Sequence, residues 1–236
     1  MDSKTVIDTL HLARKYSPKR KFSQSVDFIM NLRGLDLKKP EDNITTFVVL
    51  PHGKSKVNRI GALITSDLVS KAKGLFDTII VKDDFRDYGV NPKKTKNMAQ
   101  SVDFFVAQAD LMTEVAKAFG KVLGPLGKMP NPKAGSVFPA TIPDLKPIAQ
   151  KLKQTVKLQT KNELVIKTSV GQETMSDEQI AENVLAVYNH VFHLLHDDKH
   201  KVKTILLKFS MGKPFVIGRT YSPEELNSIT SNKEKE

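Results

Sequence analysis

Residues 202–217 read Val-Lys-Thr-Ile-Leu-Leu-Lys-Phe-Ser-Met-Gly-Lys-Pro-Phe-Val-Ile. Val202 to Lys208 has the composition of a strand, and Phe215-Val216-Ile217 that of a second. Between them stand a hydroxyl (Ser210), a thioether (Met211), a bare backbone position (Gly212) and a cation (Lys213). That order serves a packed core poorly. It suits a surface laid against something polar, anionic and ridged. Ser210 donates and accepts, Met211 adapts its shape, Gly212 admits a foreign backbone and Lys213 brings charge. The stretch is read as the centre of an RNA-binding face.

Working outward, the preceding segment predicts a long helix. Ser176 is its cap and Gln179 completes a capping box, with Ile180, Val184, Val187, Val191 and Leu194 as the apolar stripe. Before it, Glu163 to Val170 is strand-like and Gly171 is read as its stop. The other chain end looks similar. Residues 3–16 predict a helix with Val6, Leu10 and Ala13 on one face, ended by Ser17-Pro18. Val26, Phe28, Met30 and Leu32 then alternate with Ser25, Asp27, Asn31 and Arg33, the pattern of a half-buried strand. A turn-rich stretch, 36–43, leads to a strand over Thr45–Leu50, and Pro51-His52-Gly53-Lys54 marks a boundary.

The middle of the chain has another rhythm. Apolar strands at Ile60–Thr65, Thr78–Val81 and Phe104–Ala107 alternate with helices over Asp67–Lys73, Pro92–Gln100, Leu111–Val122 and Asp144–Gln154. Continuous apolar strands separated by helices argue for a parallel sheet covered on both faces. The expected fold class is therefore α/β and α+β in two domains. Residues 1–55 plus 159–236 form a discontinuous α+β domain, and 56–158 an inserted Rossmann-like α/β domain with a parallel sheet.

The chain has 236 residues and a formal net charge of +11. Residues 1–55 carry +4, 56–158 carry +8 and 159–236 carry −1. Such a balance points to a polyanion partner. Cysteine is absent, which excludes disulfides and thiolate metal sites. No apolar run reaches the ~20 residues of a membrane span, and Met1-Asp2-Ser3-Lys4 lacks an apolar signal core. A cytoplasmic protein without a membrane partner is expected. Tryptophan is absent too, so base stacking would fall to Phe and Tyr.

Lys21-Phe22 and Ser23-Gln24-Ser25 place a cation, a ring, an amide and hydroxyls at a strand entry, chemistry that suits RNA minor grooves and unpaired bases. The competing reading puts Phe22 in the core. The loop from Lys121 to Lys133, dense in Gly, Pro and Lys, is a candidate second phosphate contact through Lys121, Lys128 and Lys133. The competing reading is a loop stiffened by proline. Neither GxxxxGK[ST] nor GxGxxG occurs. His190, His193, His196 and His200 drift around a helix, and Asp83, Asp84 and Asp87 lack a second ligand set, so both are read as solvated structure. No catalytic constellation, metal site, cofactor or small-molecule substrate is expected.

Several motifs in order over nearly the whole length resemble the family of the first-numbered protein of the large ribosomal subunit, the ribosomal protein "L-one" family, in its archaeal branch. They are Gly124-Pro-Leu-Gly-Lys-Met-Pro-Asn-Pro-Lys133, Ser210-Met-Gly-Lys-Pro214, Arg20-Lys21-Phe22 with Gln24-Ser25-Val26, Leu50-Pro-His-Gly53, Asp83-Asp-Phe-Arg86, Val90-Asn-Pro-Lys-Lys94, Phe104-Phe-Val-Ala-Gln-Ala-Asp110 and Val170-Gly-Gln-Glu-Thr-Met175. The resemblance implies two domains, one built from both chain ends. It implies a non-enzymatic, ribosome-associated protein that holds the rRNA of the mobile stalk beside the tRNA exit site. Release of deacylated tRNA and repression through its own mRNA leader are implied as well. Lys21, Phe22, Gln24, Ser25, Ser210, Met211 and Gly212 match positions at the RNA face, and Gly171 lies nearby in the same pattern; Lys213 adjoins them. Three positions depart: Leu126 stands where the family usually carries Arg, Ser210 where it carries Thr, and Phe209 where it tends to place Ser or Thr. The runner-up, a metal-dependent or nucleotide-using α/β enzyme on the insert, predicts an ion at Asp83 and Asp84 or a ligand at the strand ends.

Overall fold

In the computed structural model, residues 1–39, 42–54, 57–140, 144–160, 162–196, 198–222 and 224–226 are described. In chain order the elements are α1 (Ser3–Tyr16), β1 (Ser25–Leu32), β2 (Thr45–Val49), β3 (Ile60–Ile64), α2 (Val69–Ala72), β4 (Thr78–Val81), α3 (Phe85–Val90), α4 (Pro92–Ser101), β5 (Phe104–Gln108), α5 (Met112–Leu126), β6 (Val137–Phe138), α6 (Lys146–Gln154), β7 (Thr155–Gln159), β8 (Val165–Gln172), α7 (Asp177–Leu194), β9 (Val202–Phe209) and β10 (Phe215–Val216). They fall into two compact units, Met1–Lys56 with Val156–Glu236, and Val57–Thr155.

The unit built from the chain ends is organised by an antiparallel sheet of order β10-β9-β1-β8. Burial alternates strictly along β1, so Val26, Phe28, Met30 and Leu32 enter the core while Ser25, Asp27, Ile29 and Asn31 point away. Val6, Leu10 and Ala13 of α1 and Ile180, Val184, Val187 and Val191 of α7 close over the inward face. Each such side chain, fully buried, contributes about 1.5–3 kcal/mol. Ser17 and Pro18 stop α1, and the Ser17 N–H bonds the Ala13 carbonyl at 2.9 Å. The Ser176 hydroxyl accepts the Gln179 N–H at 3.3 Å and caps α7. At the far end of α7 the stripe shifts. Leu194 is 45% exposed and Leu195 is buried instead, because the helix ends there and His196 takes φ 58°. A second sheet, β2 beside β7, adds Val48, Val156 and Leu158 to the same core, and Leu50, just past β2, joins them.

The other unit is a parallel sheet of order β4-β3-β5-β6. All five residues of β3 are buried, yet they still alternate. Ile60, Ala62 and Ile64 face a cluster with Ala72, Ala149 and Leu152, whereas Leu63 faces Phe85, Val115 and Phe119. Helices therefore cover both faces. Gly61 lies under Phe105, whose ring would stand 2.7 Å from an added Cβ.

Some boundaries differ from expectation. β6 and β7 are strands that the spacing does not predict; β7 hides its alternation in five residues, with Val156 and Leu158 buried around Lys157. α5 continues past Val122 to Leu126. Gly171 does not stop β8, which runs on to Gln172 through a bulge where Val26 and Asp27 face Gly171 and Ser169. The polar residues after Tyr221 fall largely outside the described residues, as do 40 and 41 of the turn-rich stretch.

Candidate nucleic-acid interface

The register of β1 and β9 sets Val26 opposite Phe209 and Asp27 opposite Lys208. Ser25, at the head of β1, therefore meets Ser210, just beyond the end of β9. The Ser210 N–H donates to the Ser25 carbonyl at 3.0 Å, and the two hydroxyl oxygens are 2.6 Å apart. Residues from opposite ends of the chain thus form one polar centre. Around it Phe22 is 54% exposed and Met211 55%, and Lys21 and Lys213 are exposed as well. A large ring and a thioether held in water beside lysines are adaptable contact groups for bases and sugars. The core alternative for Phe22 is thereby answered.

The turn after Ser210 is held from beneath. The Gly212 N–H bonds the Phe209 carbonyl at 2.8 Å, and an added Cβ on Gly212 would stand 2.9 Å from the Ser17 hydroxyl. Gln24 does not reach the surface: it is 1% exposed. Its Oε1 accepts the Met211 N–H at 3.2 Å, and its Nε2 donates to the Pro18 carbonyl at 2.9 Å. Its main chain accepts from the Glu173 N–H at 2.8 Å and donates to the Glu173 carboxylate at 3.3 Å. Gln24 is a support for the turn, because a sealed amide must satisfy its neighbours. Gly171 is likewise buried, with Ile180 and Met175 each 3.2 Å from where a Cβ would sit; its smallness lets α7 approach. Phe209 is also inward and 1% exposed, so no polar contact is lost from the face there. Arg14 crosses its ring at 5.7 Å.

Arg14 carries no surface motif, and sequence reasoning passed over it. Its guanidinium bonds Asp177 Oδ1 at 2.8 Å, the Glu173 carbonyl at 2.8 Å and the Met175 carbonyl at 3.0 Å, which fastens the segment that supports Gln24. The rows on the outward face of the sheet were missed for another reason. The alternation in β1 identifies its outward residues, but their partners follow only from register. Ser169, Asp27 and Lys208 form one row. Lys167, Ile29, Leu206 and Val216 form the next. Val165, Asn31 and Thr204 form a third, with Asn31 Nδ2 donating to Thr204 Oγ1 at 2.7 Å. Burial raises the Asp27 carboxyl above its ordinary range, against the opposing pull of Lys208, a hydrogen bond from Ser25 and the charge of Lys54.

In the other unit the three candidate lysines separate by environment. Lys121 and Lys133 are exposed. Lys128 is not offered to a ligand: its ammonium donates to the Ala99 carbonyl at 2.8 Å and to that of Val102, capping α4. Its own N–H bonds the Leu123 carbonyl at 3.0 Å as Gly127 turns at φ 64°, so this stretch is the end of α5. Leu126 is 43% exposed there.

A ligand site on the parallel sheet would fall where strand order reverses, between the ends of β3 and β5. Gln108 Oε1 accepts from the Thr65 N–H and hydroxyl at 3.4 and 3.2 Å across that gap. Among the described residues, no group of three His, Asp or Glu side chains is placed to hold a metal, Asp83, Asp84 and Asp87 included. His190 is bonded to the Thr46 hydroxyl at 2.8 Å, and burial, then His193, lowers its pKa. Among the described residues no helix is long and apolar enough to cross a membrane.

Residues 13–213 match the family described as "Ribosomal protein L1p/L10e family". The chain is similar to proteins named "Large ribosomal subunit protein uL1". The one from Methanothermococcus thermolithotrophicus is 39% identical over 91% of this chain and 98% of its own length. That from Methanocaldococcus jannaschii is 38% identical over 90% and 94%, and that from Pyrococcus abyssi 36% over 89% and 94%.

Proposed function

The chain belongs to the ribosomal protein L1p/L10e family, and from that premise we propose that it is a structural constituent of the large ribosomal subunit that grips the rRNA of the mobile stalk near the tRNA exit site. The observation that carries this reading is the Ser25–Ser210 pair, 2.6 Å apart, flanked by exposed Phe22 and Met211. Two terms make the grip. Lys21, Lys213, Lys208 and Lys167 neutralise phosphates and release counterions, so affinity falls steeply with salt. Ser25, Ser210 and the main chain around Gly212 then fix register through hydrogen bonds sealed from water, each lost partner costing about 1–3 kcal/mol. In this reading the protein assists release of deacylated tRNA as the stalk moves. The same face also serves repression by binding a similar structure in the protein's own mRNA leader, and competition between rRNA and leader fragments ranks the two targets.

The test compares Met211→Asp with Lys133→Ala in calorimetry on a stalk rRNA fragment. Met211→Asp is expected to weaken binding about a hundredfold, as loss of a central anchor does. Lys133→Ala should cost no more than about threefold, with a shallower salt dependence. Equal losses would overturn the assignment of the face.

A further inference from the structure

We propose that Lys54, in the turn by which the chain leaves β2 for the insert, takes a backbone phosphate of the bound RNA, and that Asn183 of α7 is the positioning residue that sets it there. The inference rests on the RNA-binding reading above. Asn183 stands among the apolar residues that α7 turns into the core, Ile180, Val184 and Val187, and is 0% exposed. A sealed amide has to find partners for its donors and its acceptor. Among the described residues those partners are main chain. Oδ1 accepts the His52 N–H at 3.1 Å, while Nδ2 donates to the Gly53 carbonyl at 3.0 Å and to the Val170 carbonyl at 2.8 Å. One side chain therefore ties the turn at 52–53 to β8. Glu182, the preceding residue of α7, holds the same turn, its carboxylate 2.5 Å from His52 Nε2.

That tie places the turn at the recognition end of the sheet. Val170 lies in the bulge of β8 opposite Val26 and Asp27, next to the Ser25–Ser210 centre. Lys54 follows Gly53 directly and is half-buried. Its charge reaches the outward side of β1: burial raises the Asp27 carboxyl, and Lys208, a hydrogen bond from Ser25 and then Lys54 oppose it. A cation is wanted at this end of β8. Thr168 to Met175 contain no Lys or Arg, and Glu173 is an acid, so the segment offers nothing of its own to phosphate. Lys21 and Lys213 flank the serine pair from β1 and from the turn after β9, and Lys54 supplies the β8 side. A half-buried stem also has less freedom to lose on binding than a fully exposed one.

The experiment follows the full chain in calorimetry on a stalk rRNA fragment over a salt series, with thermal unfolding alongside. Lys54→Met keeps the stem and removes the charge. It should weaken binding about fivefold and lower the slope of log K against log salt by about one, with the thermal midpoint unchanged. Lys54→Arg should keep both affinity and slope. Asn183→Ala should lower the midpoint, because the His52 N–H and the Gly53 and Val170 carbonyls lose their partner. It should also lower the slope by about one, which a merely loosened fold does not do. The double variant should bind no more weakly than Asn183→Ala alone, since the lysine is already misplaced there. Losses that add in the double variant, or a wild-type slope in either single variant, overturn the proposal. Should Asn183→Ala show no folded population by circular dichroism, Asn183→Asp takes its place in the cycle; it keeps the acceptor for His52 and removes the donor to Gly53 and Val170. Met211→Asp tests the underlying reading separately. If it binds like wild type, that reading fails; if it loses about a hundredfold while Lys54→Met binds like wild type, only the roles of Lys54 and Asn183 fail.

Discussion

A glutamine side chain carries two N–H donors and an acceptor oxygen, and buried without partners it is a liability. Gln24 is buried because the Met211 N–H and the Pro18 carbonyl meet it. Gln24→Leu keeps the bulk and removes both bonds, leaving a donor and an acceptor unpaired. We expect a loss of about 1–3 kcal/mol in urea unfolding followed by circular dichroism. Affinity for the stalk fragment should fall as well, because the Met211 turn loses its support, whereas unrelated RNA should bind as before. Equal loss for both RNAs would mean that the change acts on the fold as a whole. In sequence, Gln24 reads the same as a contact residue: amide, cation and hydroxyls cluster from Lys21 to Ser25. Whether a polar residue faces ligand or main chain depends on segments far away, here Glu173 and Met211, and no local pattern carries that. For Phe22 the sequence left a core position open as well, and its exposure, like that of Met211, shows only once the strands are placed.

At the scale of elements, helix and strand periodicity located nearly every long segment, because amphipathic spacing is local. Short elements escaped. β6 has two residues and is defined by its place beside β5, with Val137 opposite Ala107. The stretch around Lys128 shows a motif changing meaning through an element's end. Gly, Pro and Lys suggested a basic loop, but they form the terminus of α5, and the ammonium is turned onto the last carbonyls of α4. Lys128→Met keeps the aliphatic stem and removes the cap. The two carbonyls lose a charged donor at the negative end of a helix, worth about 1–3 kcal/mol. The expected outcome is a lower thermal midpoint with RNA affinity within about twofold of wild type and an unchanged salt slope. A lysine acting on phosphate would behave in the opposite way, lowering the slope by about one and sparing the midpoint.

For the whole molecule, the question is which unit recognises and which adds charge. Each unit has its own core: α1, β1, β2, β7, β8, α7, β9 and β10 share one cluster, and the helices of the parallel sheet form two others. The alternation of long apolar strands with helices made the insert legible, whereas the union of the two chain ends rests on pairing of β1 with β8 and β9, which spacing along the chain does not encode. That pairing builds the Ser25–Ser210 centre without any residue of the insert, while residues 56–158 carry +8 of the +11 net charge. Recognition and charge are thus separable. β2 lies beside β7, so the strands that flank the insert are neighbours and a short linker of Gly and Ser bridges them. We predict that replacing residues 57–155 with such a linker leaves a folded protein that still prefers the stalk fragment over unrelated duplex by about the wild-type ratio. Its absolute affinity at low salt should drop by about tenfold or more, and the slope of log K against log salt should become shallower as fewer counterions are released. Circular dichroism establishes that the variant is folded before binding is measured. A folded variant whose preference collapses while its salt slope holds would place recognition in the parallel-sheet unit, and with it the roles given to Ser25 and Ser210 would fall.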